Sequence, residues 1–186
     1  MRLFVALEVP AHVRENLSKL VKSLRATDAR PRWVRTENLH LTLKFIGEIP
    51  EAKLGAIREA LAEIKSDSAA ELRFRGLGFF PNEKRPRVFW AGIEATPNLK
   101  ELAREIESRL EKAGVAREKR EFSPHLTLAR FEPAGLPEKL RFAIAAHATE
   151  EFGSLRTHQF HLIQSKLKPA GAEYTALQSF AFAAEA

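Results

Sequence analysis

The sequence predicts an α+β protein made of two related halves, with its helices on the outside. Two observations carry that prediction. The tetrapeptide His-Leu-Thr-Leu occurs twice, at positions 40–43 and 125–128. The copies are too far apart for a local repeat and are placed as matching parts of two lobes. Around them, stretches of helical spacing interrupt strand patterns that adjoin by hairpins, a mixture that sets helices against a mainly antiparallel sheet.

Arg2 to Val9 is a near-continuous apolar run, as a buried strand requires. Pro10 suits the start of a helix, and Val13, Leu17, Leu20, Val21 and Leu24 follow at helical spacing along one face. His12 is expected at the surface of that helix. Arg30 to Thr36 is a basic turn around Pro31 and Trp33 that delivers the chain into the first His-x-Thr strand. A second helix is expected over Glu51–Lys65, with Leu54, Ile57, Leu61 and Ile64 buried. Leu72 and Phe74 then alternate with Arg73 and Arg75, so that strand has one wet face. The basic loop from Glu83 to Arg87 is expected as a solvated hairpin tip, and Val88–Ala91 as the returning strand.

The third helix has Thr96 to cap it, Pro97 for its first position and Gly114 to close it, with Leu99, Leu102, Ile106 and Leu110 inward. Phe122-Ser123-Pro124 leads into the second His-x-Thr strand. A short helix after Pro137 buries Leu140 and Ile144. Phe160–Leu167 and Tyr174–Phe182 close the fold around a Pro169–Gly171 turn. No Gly-, Pro- or Ser-rich linker interrupts the chain, so residues 1–186 are expected to form one two-lobed domain.

Both tetrapeptides alternate polar and apolar residues, the period of a half-buried strand. Residues two apart on a strand share a face, so His40 joins Thr42, and His125 joins Thr127. At about 3.3 Å of rise per residue, each pair can touch one small anion. If the halves pack face to face, two imidazoles and two hydroxyls meet in one cleft. One neutral imidazole can then take a proton and a charged one can give it. The threonine hydroxyls can donate to phosphate oxygens as charge builds. By the same alternation Lys44 shares the face of His40 and is a candidate for anion contact. Arg130 falls opposite His125 unless a bulge intervenes.

Composition agrees with this chemistry. Apolar residues make up 45% of the 186 and charged ones 29%, as in ordinary globular proteins. The net charge of +6 favours a polyanionic partner. The absence of cysteine excludes disulfides and thiolate metal sites. No apolar run approaches the roughly 20 residues of a membrane span. Nor does the opening segment read as a signal peptide. A cytoplasmic protein is expected. Abundant Arg, Lys and Glu hint at a thermophilic source.

The runs Arg2–Leu7, Arg32-Trp33-Val34, Glu37–Gly47 and Ser123–Arg130, with Ser165–Pro169, Gly171 and Tyr174, resemble the two-histidine phosphoesterase superfamily. Within it the likeness is to the RNA 2′,3′-cyclic phosphodiesterases, also called 2′-5′ RNA ligases. The resemblance implies a bilobal fold with a pseudo-twofold axis and two mainly antiparallel sheets around a central groove. It implies hydrolysis of a terminal 2′,3′-cyclic phosphate without metal or other cofactor. His40 would be the proton donor, His125 the acceptor, and Thr42, Thr127 and Arg130 the phosphate contacts. Phe45 holds in the first repeat the place of Arg130 in the second, where it can stack on a base. The implied partner is an RNA ending in a cyclic phosphate, tRNA fragments among the candidates, acted on by a monomer away from membranes.

Four rival readings compete with hydrolysis. The histidines of two plain core strands could bond internally, although two identical copies argue against it. A zinc site would need ligands that the threonines do not supply. His147, His158 and His161 are expected as structural or surface residues. RNA joining through a 2′-5′ linkage would use the same groups, and a non-catalytic RNA-binding protein would use them only to touch phosphate.

Overall fold

The computed structural model describes residues 1–133 and 135–185. Strand β1 (Arg2–Glu8) leads through helix α1 (Ala11–Thr27) and the two-residue strand β2 (Arg32–Trp33) to β3 (His40–Glu48). Helix α2 (Leu54–Ala62) follows, then the hairpin β4 (Ala70–Phe80) and β5 (Val88–Ala95). Helix α3 (Asn98–Lys112), β6 (His125–Arg130) and α4 (Glu138–Ala145) precede β7 (Glu151–Thr157), β8 (Gln159–Lys168) and β9 (Gly171–Ala181).

The strands form two antiparallel sheets, ordered β3-β1-β8-β9 and β2-β6-β5-β4-β7. Setting β3 over β6 matches β1 with β5, β8 with β4 and β9 with β7. The first sheet is thus repeated in the second, with β2 added outside β6. This is the expected α+β duplication, and each His-x-Thr strand occupies the equivalent place in its lobe.

The helices lock the two halves together. Helix α1 leaves a strand of the first sheet yet packs on β7 and α4, where Asn16 Nδ2 donates to the Phe152 carbonyl at 2.9 Å. Helix α3 leaves the second sheet and packs against β3 and α2. One contiguous apolar cluster accordingly includes Leu3, Val5 and Leu7 of β1, Val13 and Leu17 of α1, Ile106 of α3 and Phe74, Phe89 and Phe152 of the second sheet. Burying each such side chain contributes roughly 1.5–3 kcal/mol. On its other face the first sheet carries a small separate cluster of Phe4, Ala6 and Ile163.

Several boundaries differ from the sequence expectation. The second helix opens with a 3₁₀ turn at Glu51–Lys53 and ends at Ala62 rather than Lys65. Pro97 has helical dihedrals, but α3 begins at Asn98, and the Thr96 hydroxyl bonds the Asn98 side chain instead of capping the backbone. Gly114 closes the helix with φ +85°, a conformation that favours glycine. Strands β2 and β7 were not expected. No helix among the described residues is long and apolar enough to cross a membrane.

Candidate active site

Both His-x-Thr faces line one groove of about 1420 Å³, which also receives Phe45, Phe80, Arg130 and Tyr174. His40, Thr42, His125 and Thr127 are all half-buried, accessible from the groove while their intervening leucines are in the core.

The two histidines are held in the same way. His40 Nδ1 lies 3.0 Å from the carbonyl of Asn38, and His125 Nδ1 lies 2.8 Å from that of Ser123. A carbonyl only accepts, so Nδ1 carries the hydrogen and Nε2 is left for proton transfer. In each motif the orienting group is thus the backbone two residues upstream. Each ring is also backed by aromatics. Phe4 and Tyr174 meet His40 edge-on, with centroids 6.1 and 5.6 Å away, and Phe80 meets His125 edge-on at 4.9 Å.

Burial pushes the His40 imidazole below its ordinary value. The bond to Asn38 and the charge of Glu8, its partner across β1, oppose the shift, while Arg14 and His161 add to it. His161 is itself lowered by burial. It lies across Ala6 from Thr42 and bonds the Ser179 hydroxyl at 2.8 Å.

A bulge in each motif strand decides the fate of the residues that follow. On β3, Thr42 faces Ala6 and Lys44 faces Val5, leaving Leu43 as the extra residue. On β6, Thr127 faces Trp90 and Ala129 faces Phe89, leaving Leu128 extra. Alternation therefore slips by one. Arg130 turns to the groove, and so does Phe45, which is 58% exposed and packs at a tilt against Phe4.

Lys44 turns the other way, which corrects the expectation that it shares the face of His40. It is only 2% exposed and sits beneath the groove. Its ammonium bonds Glu107 of α3 at 2.8 Å and the Ala116 carbonyl at 2.7 Å. Glu107 in turn accepts from the Glu118 N–H at 2.7 Å. Lys44 thus fastens the segment between α3 and β6, its ammonium taken up by Glu107 and the Ala116 carbonyl.

The remaining histidines stand apart from this chemistry. His147 pairs with Glu150, and His158 lies in the turn between β7 and β8, near Glu185. Among the described residues no three His, Cys, Asp or Glu side chains are grouped to hold a metal ion. Sequence reasoning missed Phe80 and the two orienting carbonyls. The shared spacing of Asn38 and Ser123 before each histidine was the available signal.

Two duplicated lobes, each presenting a His-x-Thr face to a common groove, define a two-histidine phosphoesterase. The sequence model of the LigT like Phosphoesterase family matches residues 7–90 and 93–174, one tetrapeptide in each span, and the chain belongs to that family. The RNA 2′,3′-cyclic phosphodiesterase of Archaeoglobus fulgidus is 37% identical over 180 residues, covering 97% of this chain and 99% of the relative. That of Methanothermobacter thermautotrophicus is 34% identical over 181 residues, covering 97% and 98%. Among solved structures, a Thermus thermophilus protein superposes with a TM-score of 0.79 at 32% identity, over 98% of both chains. Escherichia coli LigT complexed with 3′-AMP does so with 0.75 at 29%, over 97% of both.

Proposed function

We propose that this protein hydrolyses a 2′,3′-cyclic phosphate at the end of an RNA, leaving a 2′-phosphomonoester. The observation that carries the reading is the pair of histidines fixed through Nδ1, with both Nε2 atoms left for proton transfer in one groove. Relatives named for this activity, similar over nearly the whole chain, support it.

In this mechanism His125 takes a proton from water as its oxygen attacks phosphorus. The bond from phosphorus to O3′ breaks, and His40 gives its proton to the departing oxygen. Thr42, Thr127 and Arg130 donate to the phosphate oxygens as negative charge develops. Phe45, exposed at the groove rim, stacks on the terminal base. Side chains supply acid, base and anion donors, so we propose that the reaction needs no metal. The setting we infer is the cytoplasm, where a cysteine-free RNA enzyme meets broken transcripts, tRNA fragments included.

A short RNA ending in a 2′,3′-cyclic phosphate tests the reading. A 2′-phosphate product formed after exhaustive chelation supports it. A 3′-phosphate product overturns the roles of the histidines. Activity lost with EDTA and restored by zinc or manganese overturns the metal-free mechanism. Binding without turnover would mark a non-catalytic RNA-binding protein. A second RNA with a free 5′-hydroxyl shows whether that hydroxyl replaces water and gives a 2′-5′ joint.

A further inference from the structure

The reaction engages one nucleotide, yet the cationic wall continues beyond it. Along β6 the groove face runs from His125 through Thr127 to Arg130, which pairs with Val88 on β5. The preceding residue, Arg87, lines the groove too. Arg87 and Pro81 are also part of a second cavity, of about 420 Å³, at the tip of the β4–β5 hairpin, where Lys84 and Arg85 complete the wall. Arg87 thus lines both the groove that holds the His-Thr faces and the cavity at the hairpin tip.

That tip is well held. Asn82 Oδ1 accepts from the N–H groups of Lys84 and Arg85 at 3.0 and 3.1 Å, Pro86 is buried, and the Arg87 N–H donates to the Phe80 carbonyl at 2.8 Å. Its one acid, Glu83, is drawn aside to Arg141 of α4 at 2.6 Å. Among the described residues no carboxylate lines the second cavity, and Lys84, Arg85, Arg87 and Arg130 form no ion pair. The part of the groove lining that comes from α3 and the segment after it is mixed. There Lys100 and Arg104 are answered by Glu121, Arg117 by Glu111, and Lys119 and Arg120 are flanked by Glu118 and Glu121.

We infer that the path from Arg130 through Arg87 to Lys84 and Arg85 binds the backbone of the RNA strand 5′ of the reacting nucleotide. The protein is thereby a hydrolase of oligonucleotide ends rather than of free cyclic mononucleotides. The inference rests on the RNA reading above and names its substrate class more closely. Cations on a firm loop neutralise phosphates in turn and release their counterions, giving affinity without base reading.

The test compares a 2′,3′-cyclic mononucleotide with a hexanucleotide carrying the same end. It also measures, against salt, the binding of a labelled hexanucleotide ending in a 2′-phosphate. The hexanucleotide should show a kcat/KM about tenfold higher, expressed in KM. Lys84→Gln/Arg85→Gln should remove most of that gain and leave mononucleotide hydrolysis unchanged. Each phosphate contact on a single strand contributes about 0.7 to the logarithmic salt slope, so the double variant should lower it by about 1.4. Lys84→Glu/Arg85→Glu should weaken binding further, whereas Lys22→Gln/Arg25→Gln on α1 should change nothing.

Equal use of mononucleotide and hexanucleotide, or a hexanucleotide indifferent to both hairpin variants, overturns the track and leaves the hydrolase reading intact. If neither cyclic phosphate is hydrolysed, the hydrolase reading fails instead. The binding curves then decide the track by themselves.

Discussion

A histidine tied through Nδ1 to its own backbone can move a proton only at Nε2, and both groove histidines are tied in this way. Their surroundings differ. His40 is packed against Phe4 and Tyr174, and burial disfavours its charged form. In the free protein its titration, followed by NMR, should therefore have a midpoint below the ordinary imidazole value. Activity should lose protonated His40 as pH rises through that midpoint, so one limb of the kcat/KM profile should fall in the same range. Tyr174→Ala, which opens the ring to water, should move the midpoint upward. A midpoint at or above the ordinary value in the intact protein would contradict this account of the site. In the proposed mechanism the threonines carry a smaller share. In that mechanism Thr42→Ala or Thr127→Ala removes one donor to the phosphate, whereas a histidine variant removes a proton transfer, worth roughly 10²–10⁴-fold. Turnover in either threonine variant should exceed that of either histidine variant, and a folded Thr127→Ala protein as inactive as His125→Ala would refute that ranking.

At the scale of the element, the bulges explain both what the sequence revealed and what it hid. His40, Thr42, His125 and Thr127 precede the bulges, so period-two reasoning put each pair on one face. Lys44 and Arg130 follow them, and strict alternation put both on the wrong side. An extra residue leaves no mark in polarity when it is itself a buried leucine, as Leu43 and Leu128 are. Strand β7 was hidden for the same reason. Phe152 bulges where Gly153 pairs with Phe74 and Glu151 with Arg75, and this breaks the alternation that would have shown the strand. β2 is two residues long and has no period to read. The helices, long and regularly spaced, were legible except at their ends. The slip that buries Lys44 makes a further prediction. Lys44→Met leaves Glu107 uncompensated, and Glu107→Leu does the same to Lys44, so each should cost about 3 kcal/mol in urea unfolding. The double variant should recover much of that loss, because a well-packed apolar pair needs no charge partner. Single variants as stable as the parent would show that the ion pair does not secure the segment ahead of β6.

Over the whole molecule, duplication accounts for the site. Matching strand orders bring two copies of one tetrapeptide to a shared groove, and the exchanged positions of α1 and α3 hold the lobes in that relation. The repeat in the sequence announced the two halves. The exchange of helices was not legible, because an apolar face says that it is buried but not beneath which sheet. In the proposed mechanism symmetry leaves one question to chemistry, namely which histidine gives the proton and which takes it. Hydrolysis of a phosphodiester with a nitrophenyl leaving group answers it, because that group departs without being protonated. His40→Ala should recover much of the parent activity on this compound relative to its activity on an RNA cyclic phosphate, and His125→Ala should stay defective on both. Equal recovery by the two variants, or recovery by His125→Ala alone, would contradict the proposed division of labour in the groove.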